Sequence, residues 1–339
     1  MNNLIMDMIK QKGWCVADGA TGTNLFGRGL ETGYPPELWS VEQPENILWL
    51  HNSFLDAGSD IVLTNSFGGT SFRLKLHQAQ DRVDELNEAA AKLARQAVDA
   101  HFAAHGKRAI VAGSIGPTGE LFTPLGNLTH DSAVAGFTDQ AKALAAGGVD
   151  VLWIETMSSN EEVATAIEAA KLTGLPICAT MTFDTASRSM MGVMPADFAD
   201  FATASGANFI GANCGIGPAE LLHSVRGILA QSGDVPVVAK GNCGIPAYVE
   251  GAIHYHGTPE LMADYALFAR DMGAKIIGGC CGTSPAHVAA MTAALAATPK
   301  RPFDEAAMTA ALGTAWADVN INNAGGDDRR GRRGRRRSS

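Results

Sequence analysis

Short apolar runs, many of them rich in β-branched residues, recur along the chain and are separated by longer amphipathic stretches. The runs cover residues 14–17, 60–65, 109–114, 151–154, 176–182, 209–213, 236–242 and 275–278. Four to seven apolar residues without strict alternation is the pattern of a strand buried on both faces, as in a parallel sheet. The stretches between them carry apolar residues at helical spacing, clearest at 45–57, 83–105 and 132–146, and a further short helix is predicted at 4–9. Glycine-bearing loops follow the runs. Eight strands each followed by such a loop and a helix predict an α/β chain folded as a parallel (β/α)8 TIM-type barrel, with an open doubly wound sheet as the alternative.

That register gives meaning to the polar residues that end the runs. Asp18, Thr64, Asn65, Ser114, Glu155, Asn213, Cys214, Asn242, Cys280 and Cys281 all fall at carboxyl ends of strands, the face on which barrels of this type build their sites. The stretch Gly278-Gly279-Cys280-Cys281-Gly282-Thr283 and the turn Asn213-Cys214-Gly215 place three cysteines at two such ends. Adjacent cysteines on a regular strand point to opposite faces, so the glycines are what allow both sulfurs to aim one way. The arrangement predicts a metal site, zinc being the metal that thiolates suit; three unrelated buried cysteines are the alternative. Asp18 and Glu155 form a carboxylate pair suited to an ammonium group, and amides of the Gly19 to Thr21 loop suit a carboxylate, so the thiol substrate reads as an amino acid. The glycine loop after the first strand lacks nucleotide-binding spacing. His254-Tyr255-His256 is read as a solvated loop near the mouth.

Composition narrows the class. With 339 residues, 46% of them hydrophobic and 18% charged, the chain can bury a large core. The N-terminus has no basic-then-apolar signal pattern and no apolar run has membrane-spanning length, so a cytoplasmic enzyme is expected, with no membrane partner. Six cysteines without regular spacing do not form a disulfide framework. The formal charge of −9 makes nucleic acid an unlikely partner, but it conceals a split. Residues 327–339 hold seven arginines against two aspartates, +5 in all, which leaves −14 on the rest. The expected organisation is a barrel over 1–300, a helical extension over 301–321 and a disordered basic tail over 322–339.

The run Ala17-Asp18-Gly19-Ala20-Thr21-Gly22-Thr23, the strand end Thr64-Asn65-Ser66-Phe67, Gly113-Ser114-Ile115-Gly116-Pro117-Thr118-Gly119, Glu155-Thr156, Gly211-Ala212-Asn213-Cys214 and Gly278 to Thr283 together resemble the homocysteine S-methyltransferase family. That family includes betaine–homocysteine methyltransferase and the homocysteine domain of cobalamin-dependent methionine synthase. The resemblance covers residues 14 to about 297. It implies a methyltransferase that forms methionine, with Zn2+ on Cys214, Cys280 and Cys281 and the homocysteine thiolate completing the tetrahedron. It further implies Asp18 and Glu155 on the substrate ammonium, Gly19 and Ala20 amides on its carboxylate, and Thr64 and Ser114 in the same pocket. Asn242 matches the asparagine that fills the fourth metal position when substrate is absent, and Cys243 is expected to point away. On the donor side the resemblance brings Trp39, Phe67 and Gly68. Trp39 offers a cation–π face to a quaternary ammonium, but the animal betaine enzymes carry tyrosine where this chain has Gly68. The small residues Gly68 and Gly69 suit a methylcorrinoid carried by a partner protein, with betaine and then S-methylmethionine as alternatives. Two readings outside the class are a binding protein with a closed structural zinc and a zinc hydrolase; the latter lacks a histidine cluster such as HExxH.

Overall fold

The protein is described by a computed structural model covering residues 4–316 apart from 245, 250 and 251, with backbone only at 246–249 and 252–254. Its strands are β1 (Cys15–Val16), β2 (Ile61–Leu63), β3 (Ile110–Ile115), β4 (Val151–Met157), β5 (Ile177–Met181), β6 (Phe209–Cys214), β7 (Val237–Gly241), β8 (Pro246–Val249), β9 (Ala252–Tyr255) and β10 (Ile276–Gly279). Eight of them form one parallel sheet in the order β1-β10-β7-β6-β5-β4-β3-β2. A parallel bridge between Ala17 and Ile61 joins its two ends, giving a nearly closed TIM-type (β/α)8 barrel. Helices Pro44–Asp56, Val83–His105, His130–Ala146, Asn160–Lys171, Pro195–Ala204, Pro218–Leu229, Pro259–Met272 and Pro285–Ala297 connect or follow the strands. β8 and β9 are an antiparallel hairpin inserted after β7, which the apolar pattern had not marked.

Each barrel strand is apolar on both faces for two different reasons. One set of alternating positions, including Cys15, Ile61, Ile110, Trp153, Cys178 and Phe209, fills the barrel interior. The other set, including Val16, Val62, Val111, Leu152, Ala179 and Ile210, packs against the helices. Period-two alternation of direction is therefore present without alternation of polarity, which is why the runs read as continuous. The first helix, Leu4–Lys12, closes the floor: Ile5 is buried in the interior cluster, and Leu4, Met6, Met8 and Ile9 pack against it.

A second regularity sits at the floor and went unnoticed in the sequence. Gly58-Ser59-Asp60, Gly148-Val149-Asp150 and Gly206-Ala207-Asn208 each end a helix with a glycine at φ of 95–98° and lead into β2, β4 and β6. The Asp or Asn side chain then accepts from an amide in the first two residues of the preceding strand, Val16, Val111 and Ile177, each at 2.8 Å. Three of the strand pairs are thus capped at the floor by a side chain in the position of a missing carbonyl.

Within the segment expected as a helical extension, Glu305–Leu312 is a helix against the barrel's outer layer, with Arg226 and Glu305 paired at 2.6 Å. Residues 317–321 and the basic tail at 322–339 lie outside the described residues. Among the described residues, no helix is long and apolar enough to cross a membrane. Because Ile5 plugs the interior cluster from below, Ile5→Ala should lower stability by about 2–4 kcal/mol, the usual cost of a large-to-small core change. A shift of the urea midpoint at unchanged slope is the measurement.

Candidate active site

The carboxyl ends of the barrel strands surround a cavity of about 550 Å³. Its floor on one side is a buried polar network. Asp18, at the end of β1, accepts from the Leu63 amide at 2.7 Å and from Lys240 Nζ at 2.8 Å. The pair is almost fully enclosed, with side chains 5% and 2% exposed. Glu155, in β4, accepts from the Ser114 hydroxyl at 2.5 Å through Oε1. Burial pushes the Glu155 carboxyl above its usual range and the Asp18 carboxylate adds to this, while Lys240 and Ser114 oppose it. Ser114, Thr64 and Ser66 close a ring: the Ser114 amide donates to Thr64 Oγ1 at 3.0 Å, Thr64 and Ser66 hydroxyls meet at 2.6 Å, and Ser66 donates to the Ser114 carbonyl at 2.8 Å. Every rotor in that ring is fixed, which holds Ser114 under Glu155.

Charge counting gives the network its chemical meaning. With both carboxyls ionised, two carboxylates and one ammonium carry a formal −1 in a cavity where an unpaired charge is expensive, and burial accordingly raises the pKa of both. Among the described residues nothing hydrogen-bonds Oε2 of Glu155. A ligand ammonium at that oxygen would bring the cluster to neutrality.

The three predicted cysteines meet beside that network, at the ends of β6 and β10, the two strands that flank Lys240 in β7. The sulfurs of Cys214, Cys280 and Cys281 all lie within 4.8 Å of one another. Cys214 is placed by a left-handed backbone, φ 63°, a conformation costly for a residue with a Cβ. Cys280 and Cys281 lie just past the end of β10, where the Cys280 amide donates to the Gly241 carbonyl at 2.7 Å. Asn213 is locked by Thr156 and Thr180, at 2.6 to 2.8 Å, and turns its amide toward the Cys280 sulfur at 3.8 Å. Cys280 is pushed well above the ordinary thiol range by its hydrogen bond with Cys214 and by burial. The donor set fits a thiophilic dication: tetrahedral zinc, with bonds of about 2.3 Å, holds sulfurs about 3.8 Å apart. Cys15 and Cys178 are fully buried in the barrel interior, far from this role. A second group with ligand chemistry, Asp56, His101 and His105, sits outside the barrel at the ends of helices leading into β2 and β3.

Asn242 lies beside the sulfurs and is already engaged. Its Oδ1 accepts from the Cys281 amide at 3.0 Å and its Nδ2 donates to the Gly215 carbonyl at 2.5 Å, so it ties the two cysteine loops together. Of the carboxylate-binding amides expected, that of Ala20 donates to the Thr283 carbonyl at 3.0 Å; Gly19, Thr21 and Gly22 line the cavity. Phe67 and Gly68 line it on the donor side. Trp39 does not. The stiff loop expected at 34–39 becomes a 3-10 turn at Pro36–Leu38 running into a helical turn at Trp39–Glu42, and this rotates Trp39 into the core at 9% exposure. Its place is taken by Phe26, Tyr34 and the nearly buried Glu37, whose carboxylate accepts from the Gly68 amide at 2.6 Å. A side chain at 68 would meet that carboxylate at 2.8 Å, so Gly68 is small because Glu37 fills the space.

A model of the family described as homocysteine S-methyltransferase matches residues 15–295. The chain belongs to the homocysteine S-methyltransferase family. Its relatives include the methionine synthases of Mycobacterium tuberculosis, 29% identical over 88% of this chain and 26% of that protein, and of Mycobacterium leprae, 28% identical over 83% and 24%. The chain thus spans about a quarter of the length of these curated relatives. Among solved structures, the homocysteine methyltransferase MmuM from Escherichia coli in its oxidized form is 25% identical, with a TM-score of 0.71 over 86% of this chain and 99% of that one. The metallated form of the same protein superposes with the same score at 24% identity.

For this family member, residue-by-residue reading of strand ends overlooked Lys240. A lysine inside an apolar strand was the available signal, since an ammonium is buried only against a partner. Lys240→Met should lower stability by about 3–5 kcal/mol by stranding the Asp18 charge, and the double variant with Asp18→Asn should recover much of the loss. Chemical denaturation of the four proteins measures the coupling.

Proposed function

We propose that this chain transfers a methyl group to the sulfur of homocysteine, forming methionine, with zinc on Cys214, Cys280 and Cys281. The observation that carries the reading is that three converging thiols and a buried cluster of formal charge −1 face one cavity, matching the thiol and the ammonium of one small amino acid. When bound, zinc supplies the positive charge that keeps a substrate thiol deprotonated near neutral pH, where a free thiol is only about 3% ionised. The protein's own residues do the rest. Glu155 holds the substrate ammonium through Oε2, Lys240 keeps Asp18 from competing for it, and the Gly19 to Gly22 loop faces the carboxylate. Asn213 and Asn242 brace the cysteine loops, so the sulfur meets the methyl carbon in a fixed direction, the condition for a large effective concentration. In the transfer the new sulfur–carbon bond forms as the donor–carbon bond breaks.

The donor in this proposal is a methylcorrinoid carried on a protein surface that docks at the mouth. The loops that follow β2, β3 and β5 expose Leu76, Leu121, Leu125, Met190, Met191 and Met194, at 36–74% of full exposure. Large apolar side chains gathered on the loops of one face favour a macromolecular partner. The withdrawal of Trp39 into the core removes the cation–π face that betaine would use. Glu37 favours a second reading, because a carboxylate on the donor wall suits a small cationic donor such as betaine or S-methylmethionine.

Three outcomes are expected. Cys280→Ala should lose its zinc and its activity while Cys178→Ala keeps one zinc per chain by elemental analysis; a full zinc complement in Cys280→Ala would sink the assignment. Glu155→Gln should weaken homocysteine binding by about 2 kcal/mol, the scale of a charge-assisted contact, with zinc retained. Methionine formation measured in parallel with a methylcorrinoid protein, betaine and S-methylmethionine should be fastest with the first; fast turnover with betaine alone overturns the donor and leaves the metal and substrate assignments standing.

A further inference from the structure

The stretch 254–256, expected as a solvated loop, contains a residue that reaches the metal site. Tyr255 ends β9, where it pairs with Pro246 across the hairpin, and its side chain lines the same cavity as Cys214, Cys280 and Cys281. Its ring lies against the backbone of Gly282: a Cβ there would fall 2.2 Å from Tyr255 Cγ. Gly282 has φ of 78°, so the residue after Cys281 is glycine on two counts, conformation and space. From this seat, packed on the residue that follows Cys281, the phenol faces the Cys281 thiol across one wall of the cavity and interacts with it.

The base of the hairpin is pinned by two residues that the transfer reaction does not use. Cys243, fully buried, donates its thiol to the Gly257 carbonyl at 3.0 Å, and the Gly257 amide donates to the Cys243 carbonyl at 3.0 Å. His287 Nε2 lies 3.0 Å from the Gly257 carbonyl and 3.2 Å from the Cys243 sulfur. Its Nδ1 accepts from the Ser284 amide at 3.1 Å, which leaves the ring proton on Nε2 as the donor to Gly257. A Cβ on Gly257 would come within 2.7 Å of the Cys243 sulfur, so the pin tolerates no larger residue. The Cys243 amide in turn donates to the Cys281 carbonyl at 3.0 Å, joining the pin to the metal loop. Cys243 thus faces away from the three sulfurs, as expected, and its position has a purpose.

We propose that Tyr255 is a positioning residue for the metal centre, whose hydroxyl donates to the Cys281 sulfur, holds that ligand in place and lowers its reactivity. The inference rests on the reading of Cys214, Cys280 and Cys281 as metal ligands. A centre built from three protein thiolates has to direct a methyl donor to a fourth sulfur, that of the substrate. A hydrogen bond to one ligand withdraws electron density from it and makes it a poorer nucleophile, as outer-shell donors do at metal sites. Cys280 has the Asn213 amide at 3.8 Å in a comparable position.

The test uses the full chain loaded with cobalt(II), whose sulfur-to-metal charge-transfer band reports on the ligands, and loaded with zinc for timed alkylation by iodoacetamide. Wild type and Tyr255→Phe should each bind one metal. The band of the variant should move to lower energy, and mass spectrometry should show Cys281 alkylated about three- to tenfold faster, the factor one hydrogen bond represents, with Cys214 and Cys280 unchanged. Cys243→Ala, which cuts the pin but keeps the phenol, should move both readouts the same way by less. An unchanged band and unchanged Cys281 rate in metal-loaded Tyr255→Phe overturn the proposal alone. Absence of the band in wild type overturns the metal reading and this inference together.

Discussion

The ion pair between Lys240 and Asp18 ties the barrel to its site. The sheet closes through a single bridge, Ala17 to Ile61, and just above it the Asp18 carboxylate accepts from the Leu63 amide at 2.7 Å, doing the work of a strand carbonyl that is not there. Asp18 can be ionised in that place because Lys240, two strands away across β10, supplies the opposite charge at 2.8 Å. A pair this buried adds little stability over an apolar filling of the same shape. What it provides is a fixed charge at a fixed point, and the seam of the barrel and the electrostatics of the cavity depend on it together.

From that point the site is organised by loops that hold one another. Asn242 joins the loops of Cys214 and Cys281, Asn213 joins β4, β5 and the Cys280 loop, and Cys243 joins the hairpin to Cys281. Asparagine recurs because its amide can donate and accept at once, which lets one side chain satisfy two loops. The cost of the arrangement appears in the backbone, where Thr156 and Cys214 adopt left-handed conformations at strand ends with φ of 61° and 63°. Strain of this kind persists where surrounding hydrogen bonds over-determine it.

The wall around Gly68 is built differently, from one buried carboxylate and an aromatic lining. Glu37 accepts from the Gly68 amide, and Asn65 donates to the Pro36 carbonyl at 2.6 Å, so the 3-10 turn at Pro36–Leu38 is laced to the end of β2. Above that lining the exposed leucines and methionines form a rim that a second macromolecule can cover. The wall of Asp18, Lys240 and Glu155 is buried and charged; the wall of Phe26, Tyr34 and Phe67 is aromatic around the single carboxylate of Glu37.

The sequence by itself determined the barrel and the cysteine centre. Eight apolar runs buried on both faces, glycine loops after them and polar residues at their carboxyl ends fit a barrel better than the open doubly wound sheet, and Cys-Cys between glycines is informative because both its residue type and its spacing are unusual. Helix 83–105 was legible to the residue, since a long amphipathic stretch ending at Gly106 carries its own stop signal. Only the tertiary structure decided which polar groups remain available to a ligand. Asp18 is paired with Lys240, the Ala20 amide is committed to Thr283, and Trp39 turns inward because a helical turn replaces a loop. Tyr255 was hidden for the same reason, its contact with Cys281 arising across a hairpin fold-back. Residue type and strand position are local properties that a chain displays in order, whereas hydrogen-bond partners are chosen in space by whatever else the fold brings within 3 Å.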